Sequence, residues 1–351
     1  MTSILSTLVF DWGNTVMVDL PQHHGKMKDW PHVQALDGVE LTLSELSNDY
    51  KIVLATNAED SNTTDIREAL DRVNLGKYFT QIFSYHDLRV KKPEVVFFHK
   101  IQEMLSCNGS EIVMIGDNYQ QDIIGAKQAG WRTIWFNANN QIAPAHLPLH
   151  DLEVKHLSEI SDALKKPFYP DVQTCLNWYI ESGVTHTLLA HVNNVAAISY
   201  QVALWFAEKG FPVNPILAHR GGLLHDLAKL KDESKKNHAE LAAEILITKN
   251  QIELSEIARR HLIGNLLSEE NRPQTWEQKI VNYADKLSEG SSIVSLDERL
   301  LALQQRYPNY SEKIKKNTPL IKDLENEILE PLGLTPPEFL MKLRSVLFNG
   351  S

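Results

Sequence analysis

The sequence GDNYQQDIIGA, Gly116 to Ala126, follows directly on the apolar run Ile112 to Ile115. A short apolar run bounded by polar turn residues reads as a buried strand. It delivers Asp117 to the strand's carboxyl end, and Asp122 follows on the next turn. Earlier in the chain, Leu8-Val9-Phe10 delivers Asp11 in the same way. Carboxylates gathered at the carboxyl ends of parallel strands form an oxygen-rich crevice suited to a hard cation such as Mg²⁺.

Moving outward, the same alternation recurs. Strand-like runs at Leu8–Phe10, Ile52–Ala55, Ile112–Ile115 and Thr133–Phe136 are separated by helical spacing at Thr64–Val73, Val95–Leu105 and Ile123–Ala129. This order predicts an α/β fold with a doubly wound parallel sheet. Residues 137–170 are richer in Pro, Asn and His, with Leu157–Leu164 as a last helix and Lys165 to Pro170 as a linker. From Val172 onward the strand signal nearly vanishes. Helical spacing covers 172–182, 188–209, 213–228, 237–248, 251–262, 274–289, 296–305, 322–330 and 336–347, with Gly210, Gly221-Gly222, Gly264 and Gly290 as punctuation. The expectation is an α/β domain over 1–166 followed by an all-α domain over 167–351.

The chain's 351 residues suit about two domains. No apolar run reaches the roughly 18 residues of a membrane span. The start MTSILSTLVF lacks a basic flank and reads as a first strand, not a signal peptide. Cys107 and Cys175, far apart, fit a reducing cytoplasm better than a disulfide framework. Net charge is −10, and residues 1–166 hold 15 basic and 22 acidic side chains, the remainder 20 and 23. Neither half is basic, which argues against a broad nucleic-acid surface. A small anionic substrate held through a metal remains compatible.

Four pieces in the first half stand at strand ends: FDWGNT with Asp11, LATNA with Thr56 and Asn57, VKKPE with Lys92, and GDNYQQD with Asp117 and Asp122. A carboxylate can attack phosphorus, and the phosphoryl oxygens then need a cation, a hydroxyl and an ammonium. In these four motifs and their order, residues 5–164 resemble the haloacid dehalogenase-like (HAD) hydrolase superfamily. The resemblance implies Asp11 as nucleophile and Mg²⁺ ligand, with an aspartyl-phosphate intermediate. Thr56 and Asn57 would bind substrate, and Lys92 would neutralise both phosphate and nucleophile. Asp117 and Asp122 would complete the Mg²⁺ site, together with the backbone carbonyl of Gly13. Phosphatases of this superfamily usually carry a second aspartate two positions after the nucleophile as general acid. Here that position is Gly13, and such acids contribute about 10²–10⁴-fold.

The second half holds another constellation. His191 lies in LLAHVNNVAAIS, adjacent His225 and Asp226 in RGGLLHDLAKL, His238 in NHAELAAE, His261 in ARRHLIG and Asp285 in VNYADKLSEG. A His-Asp pair in a strongly apolar helix is costly to bury without a metal or a partner, and imidazole with carboxylate suits Fe, Mn, Zn or related metals. In the order H, HD, D, residues 172–305 resemble the HD-domain metal-dependent phosphohydrolases. That resemblance implies one metal on His191, His225, Asp226 and Asp285, and His238 with His261 adds a second. Asp226 and Lys229 are the residues expected to carry the reaction, Lys229 also meeting the phosphate. Lys286, Arg259, Arg260 and Arg299 are weaker phosphate candidates, and His186 and His219 fit no motif.

Together these readings predict a cytoplasmic metal-dependent phosphohydrolase for nucleotides or other small phosphorylated metabolites. Metal-activated water would act in the HD domain, and the HAD-like site would be a possible second phosphatase. The alternatives are a HAD-centred catalyst with the HD domain as cover or regulator, and a non-catalytic nucleotide sensor.

Overall fold

A computed structural model describes residues 5–231 and 237–348. The chain divides into two compact units: Met1–Ala143 with Leu149–Phe168, and Pro144–Pro148 with Tyr169–Ser351.

The first unit is built on six parallel strands: β1 (Thr7–Phe10), β2 (Lys51–Thr56), β3 (Gln81–Ser84), β4 (Ile112–Gly116), β5 (Arg132–Phe136) and β6 (Leu152–Val154), in the order β3-β2-β1-β4-β5-β6. Helices α1 (Val39–Leu46), α2 (Thr63–Asp71), α3 (Tyr85–Leu88), α4 (Val95–Leu105), α5 (Gly125–Gln128) and α6 (Ile160–Ala163) accompany it. Side chains alternate across a strand. Accordingly Leu8, Phe10, Leu54 and Ile115 join one apolar core, while Val9, Val53, Ala55 and Met114 join another. A sheet covered on both faces is the doubly wound fold expected from the sequence. The strand order reverses between β1 and β4, where Phe10 pairs with Ile115. Asp11 and Asp117 therefore leave neighbouring strands at the switch point, where such sheets open a crevice. The edge strands β3 and β6 carry too few apolar residues in a row to stand out as strands in the sequence.

The second unit is helical: α7 (Val172–Ser182), α8 (His186–Glu208), α9 (Pro215–Leu224), α10 (His238–Thr248), α11 (Ile252–Arg260), α12 (Trp276–Asp285), α13 (Leu296–Arg306), α14 (Ser311–Leu332) and α15 (Pro336–Phe348). A two-residue hairpin, β7 (Ser288–Glu289) and β8 (Ser292–Ile293), interrupts it. Side chains of Asp171, Thr185, Asn214, Asn237, Thr275 and Ser295 accept backbone N–H bonds at their helix starts, each satisfying an otherwise orphaned donor. Two expectations are corrected. Gly221 and Gly222 do not separate helices but lie inside α9. A Cβ on Gly222 would sit 2.8 Å from Ala196 Cα of α8, and one on Gly221 2.7 Å from Ile257 Cδ1 of α11. The glycines let α9 approach both neighbours closely, which brings the His225-Asp226 pair beside His191. Secondly, α14 begins at Ser311, well before residue 322, because it runs through Pro319, a residue that reads in sequence as a break.

Candidate metal centres

In the first unit, the chain leaves β4 at Gly116, and one wide π turn, Tyr119–Ile124, carries Asp122 back over the strand end. A Cβ on Gly116 would stand 2.3 Å from Asp122 Oδ2, so only glycine admits the carboxylate there. Lys92 is 3 % exposed and uses all its N–H donors. It reaches Asp11 Oδ1 at 2.5 Å, Asp122 Oδ1 at 2.6 Å and Ala55 O at 3.1 Å. Burial works against this ammonium, but Asp11 and Asp122 hold its pKa above the usual lysine range. Burial pushes Asp117 up to about 6, with the Asp11 charge adding to it, and Asp122 up to about 7. Thr15 Oγ1 donates to Asp117 Oδ1 at 3.3 Å. Asp11, Asp117 and Asp122 each offer an oxygen within 4.8 Å of the others, a carboxylate set that fits a hard divalent cation.

Thr56 is buried at the end of β2, its hydroxyl accepting from Ala58 N at 3.2 Å. Asn57, expected to meet substrate, commits its amide to the protein. Its Nδ2 donates to Lys92 O at 2.9 Å and Gln121 Oε1 at 3.0 Å, and its Oδ1 accepts from Lys92 N at 2.8 Å. It therefore positions the lysine. A Cβ on Gly13 would meet Asp19 Cβ at 3.8 Å, an ordinary contact.

In the second unit the six expected residues converge, five of them from helix ends. His191 projects from α8, and His225 and Asp226 follow α9. His238 opens α10, His261 ends α11 and Asp285 ends α12. The C-termini of α9, α11 and α12 bring partial negative charge to a place suited to cations. Asp226 Oδ2 faces His225 Nε2 at 3.4 Å and His191 Nε2 at 3.7 Å. Its Oδ1 faces His238 Nε2 at 3.2 Å and His261 Nε2 at 3.5 Å. Asp285 Oδ1 completes the first group, 3.1 Å from His191 Nε2 and 3.8 Å from His225 Nε2. The six side chains thus form two ligand groups that share one carboxylate.

Profiles of two families match this chain: haloacid dehalogenase-like hydrolase over residues 11–136, and HD domain over residues 188–290. A pyrimidine 5′-nucleotidase, PynA of Streptococcus pneumoniae, is 31% identical over 172 residues, 44% of this chain and 69% of that protein. The chain belongs to the haloacid dehalogenase-like hydrolases, fused to an HD domain. Another relative, the pyrimidine 5′-nucleotidase YjjG of Escherichia coli, is 25% identical across 41% of this chain and 75% of its own. Among solved structures, a protein from Listeria monocytogenes serotype 4b is similar at 25% identity and a TM-score of 0.42, covering 46% of this chain and 97% of that one. The chain is a metal-dependent phosphohydrolase with candidate metal-binding groups in both units.

The HD cluster fits metal ligation on its own chemistry. His225 Nδ1 bonds Gly222 O at 2.7 Å, His261 Nδ1 bonds Ala258 O at 2.6 Å, and His191 Nδ1 bonds Ser288 Oγ at 3.1 Å. A carbonyl only accepts, so His225 and His261 carry their protons on Nδ1 and turn Nε2 lone pairs inward, as in metal-bound imidazoles. Among the described residues, His191 Nε2, His225 Nε2 and Asp226 Oδ1 are buried without a hydrogen bond. Burial lowers the pKa of His191 and pushes His261 down to about 4, which keeps both neutral for a cation. Burial would raise Asp285, but Lys286 beside it holds it well below the carboxylate range.

The basic candidates sort by what they touch. Lys229 Nζ contacts Asp226 Oδ2 at the edge of the cleft. Lys286 is buried, donating to His261 O at 2.5 Å and Asp285 Oδ2 at 3.0 Å. Arg259 pairs with Glu240 and Glu256, and Arg260 with Glu256. Arg299 pairs with Glu289 beside Asp285. Ser288, on β7, falls in a stretch that the sequence reads as helical, and a lone serine carries no motif. No helix among the described residues is long and apolar enough to cross a membrane.

Proposed function

We propose that the HD unit is the principal hydrolytic centre and acts on a phosphomonoester, of the nucleotide or small phosphorylated metabolite class. The observation that carries this reading is Asp226 placed between two histidine groups, one on each carboxylate oxygen. His191, His225, Asp226 and Asp285 would hold one divalent transition metal, and Asp226, His238 and His261 a second. Bound there, such metals supply phosphate charge neutralisation and a water of lowered pKa. Asp226 fixes the spacing of the two groups. Ser288, Gly222 O and Ala258 O fix the histidine tautomers. The Lys229 ammonium, beside Asp226 at the cleft edge, would hold a phosphate oxygen as charge builds on it.

The HAD-like unit is the second site in this reading. Asp11 would attack phosphorus, the ester oxygen would leave with its alcohol, and water would release phosphate from the acyl-phosphate. Lys92, Asp117, Asp122, Thr56 and the Gly13 carbonyl would surround the phosphoryl group and Mg²⁺. Without a carboxyl at position 13, the alcohol leaves without a proton from that position, which slows esters with basic leaving groups. Likeness to named pyrimidine 5′-nucleotidases supports a nucleotide substrate.

The test is a screen of phosphorylated metabolites with Mg²⁺, Mn²⁺ and Fe²⁺ supplied in turn, with metal analysis of the same protein. Phosphate release from a nucleotide or small metabolite with a transition metal supports the reading. No release under any metal overturns it.

A further inference from the structure

A cleft of about 690 Å³ runs from Asp226, His238, His261 and Asp285 to a wall built by the end of α13 and the start of α14. That volume lies in the range of small-molecule sites. The wall residues, Leu303 to Ile314, fall outside residues 188–290 matched by the HD-domain profile. The shared HD framework accounts for the metal end of the cleft and leaves its far end to this chain.

Charge at the far end is limited. Lys229 stands at the metal end beside Asp226, and Arg299 and Arg306 share the single carboxylate of Glu289. Lys313 lines the cleft and makes no ion pair among the described residues, its Nζ lying 3.3 Å from a would-be Cβ of Gly264. A polyphosphate tail would need several uncommitted cations. Lys313 and the single arginine charge left over from Glu289, set among neutral and apolar side chains, fall short of it. The wall offers instead Tyr307 and Tyr310, which are 46% and 60% exposed, with Leu303 and Ile314 beside them. Exposed tyrosine rings at the end of an apolar wall present π faces on which a flat base stacks.

We infer that Tyr307, Tyr310 and Lys313 select the leaving group, and that the group they select is a nucleoside: a single phosphate at the metal end, a planar base on the tyrosines, and the lysine donating to the base's polar edge. This rests on the HD unit being the hydrolytic centre.

Metal-loaded full-length protein is assayed for phosphate release from nucleoside 5′-monophosphates, nucleoside 5′-triphosphates and glycerol 3-phosphate. Wild type prefers the monophosphates. Tyr307→Ala and Tyr310→Ala each lower the ratio of kcat/KM for the monophosphate to that for glycerol 3-phosphate by about tenfold, and Tyr→Phe at either position restores it. A preference for triphosphates or glycerol 3-phosphate overturns the inference, as does a ratio unmoved by the alanine variants. Calorimetric binding of a nucleoside 5′-thiomonophosphate separates this inference from the hydrolytic reading. If no substrate is cleaved yet this analogue binds and Tyr307→Ala weakens it about tenfold, the wall is right and the hydrolytic reading is wrong. If the analogue does not bind, or binds both proteins equally, the wall is wrong.

Discussion

Asp226 Oδ1 lies 3.2 Å from His238 Nε2, while its other oxygen lies 3.4 Å from His225 on the opposite side. One buried carboxylate therefore belongs to two histidine groups that come from different helices. If both groups hold metal as proposed, a residue in that position would link their occupancy, because removing its charge would weaken both.

His238 contributes to one group only. His238→Ala should therefore leave about one transition-metal equivalent per chain where wild type holds about two, and Asp226→Asn should leave less than one. Elemental analysis after dialysis gives both numbers. Equal metal content in the two variants would count against a shared carboxylate.

Ser288 holds His191 through Nδ1 and also accepts from Asn194 Nδ2 at 3.0 Å. Ser288→Ala removes the partner that orients the imidazole without touching a ligand. Metal affinity should fall by about 10- to 100-fold, read by competition with a chromophoric chelator. An affinity equal to wild type, in a variant with unchanged helix content, would remove Ser288 from the site.

In the HAD-like unit, burial and the Asp11 charge raise Asp117 from 3.8 to about 6. A carboxyl raised in the folded state binds more protons there than in the unfolded chain. Without metal, stability thus falls as pH rises from about 4 through 6. Mg²⁺ binds the ionised form and relieves this cost. The Mg²⁺-induced rise in Tm should be larger at about pH 8 than at about pH 5, and equal shifts would contradict the assignment.

A Cβ at position 13 would meet no atom closer than Asp19 Cβ at 3.8 Å. Gly13→Asp places a carboxyl where phosphatases of this superfamily keep their general acid. In an Asp226→Asn background, it should raise phosphate release by at least about tenfold for esters with basic leaving groups. Little change for esters with acidic leaving groups is the matching control. A gain of equal size for both ester types would show that the carboxyl acts other than by protonation.

The framework was legible wherever local chemistry is strict. Apolar runs ending in Asp11 and Asp117 marked strands, because such runs must be buried and their polar ends must face the crevice. The His225-Asp226 pair stood out because burying it alone is costly. The edge strands β3 and β6 were not legible, since an edge strand needs fewer apolar residues. The reach of α14 through Pro319 was hidden because proline reads as a break. Gly221 and Gly222 carried a packing requirement that depends on Ala196 and Ile257, residues distant in sequence. The same holds for Asn57, whose partners Lys92 and Gln121 come from other strand ends, and for Ser288. Tertiary proximity, not residue type, assigns these roles.

In the proposed reading the HD unit performs the hydrolysis. That reading is tested most directly by phosphate release from one nucleoside monophosphate by wild type, Asp11→Asn and Asp226→Asn under the same transition metal. The prediction is a loss of about 100-fold or more in kcat/KM for Asp226→Asn and a change within about twofold for Asp11→Asn. The reverse pattern, activity surviving Asp226→Asn and abolished by Asp11→Asn, would contradict it.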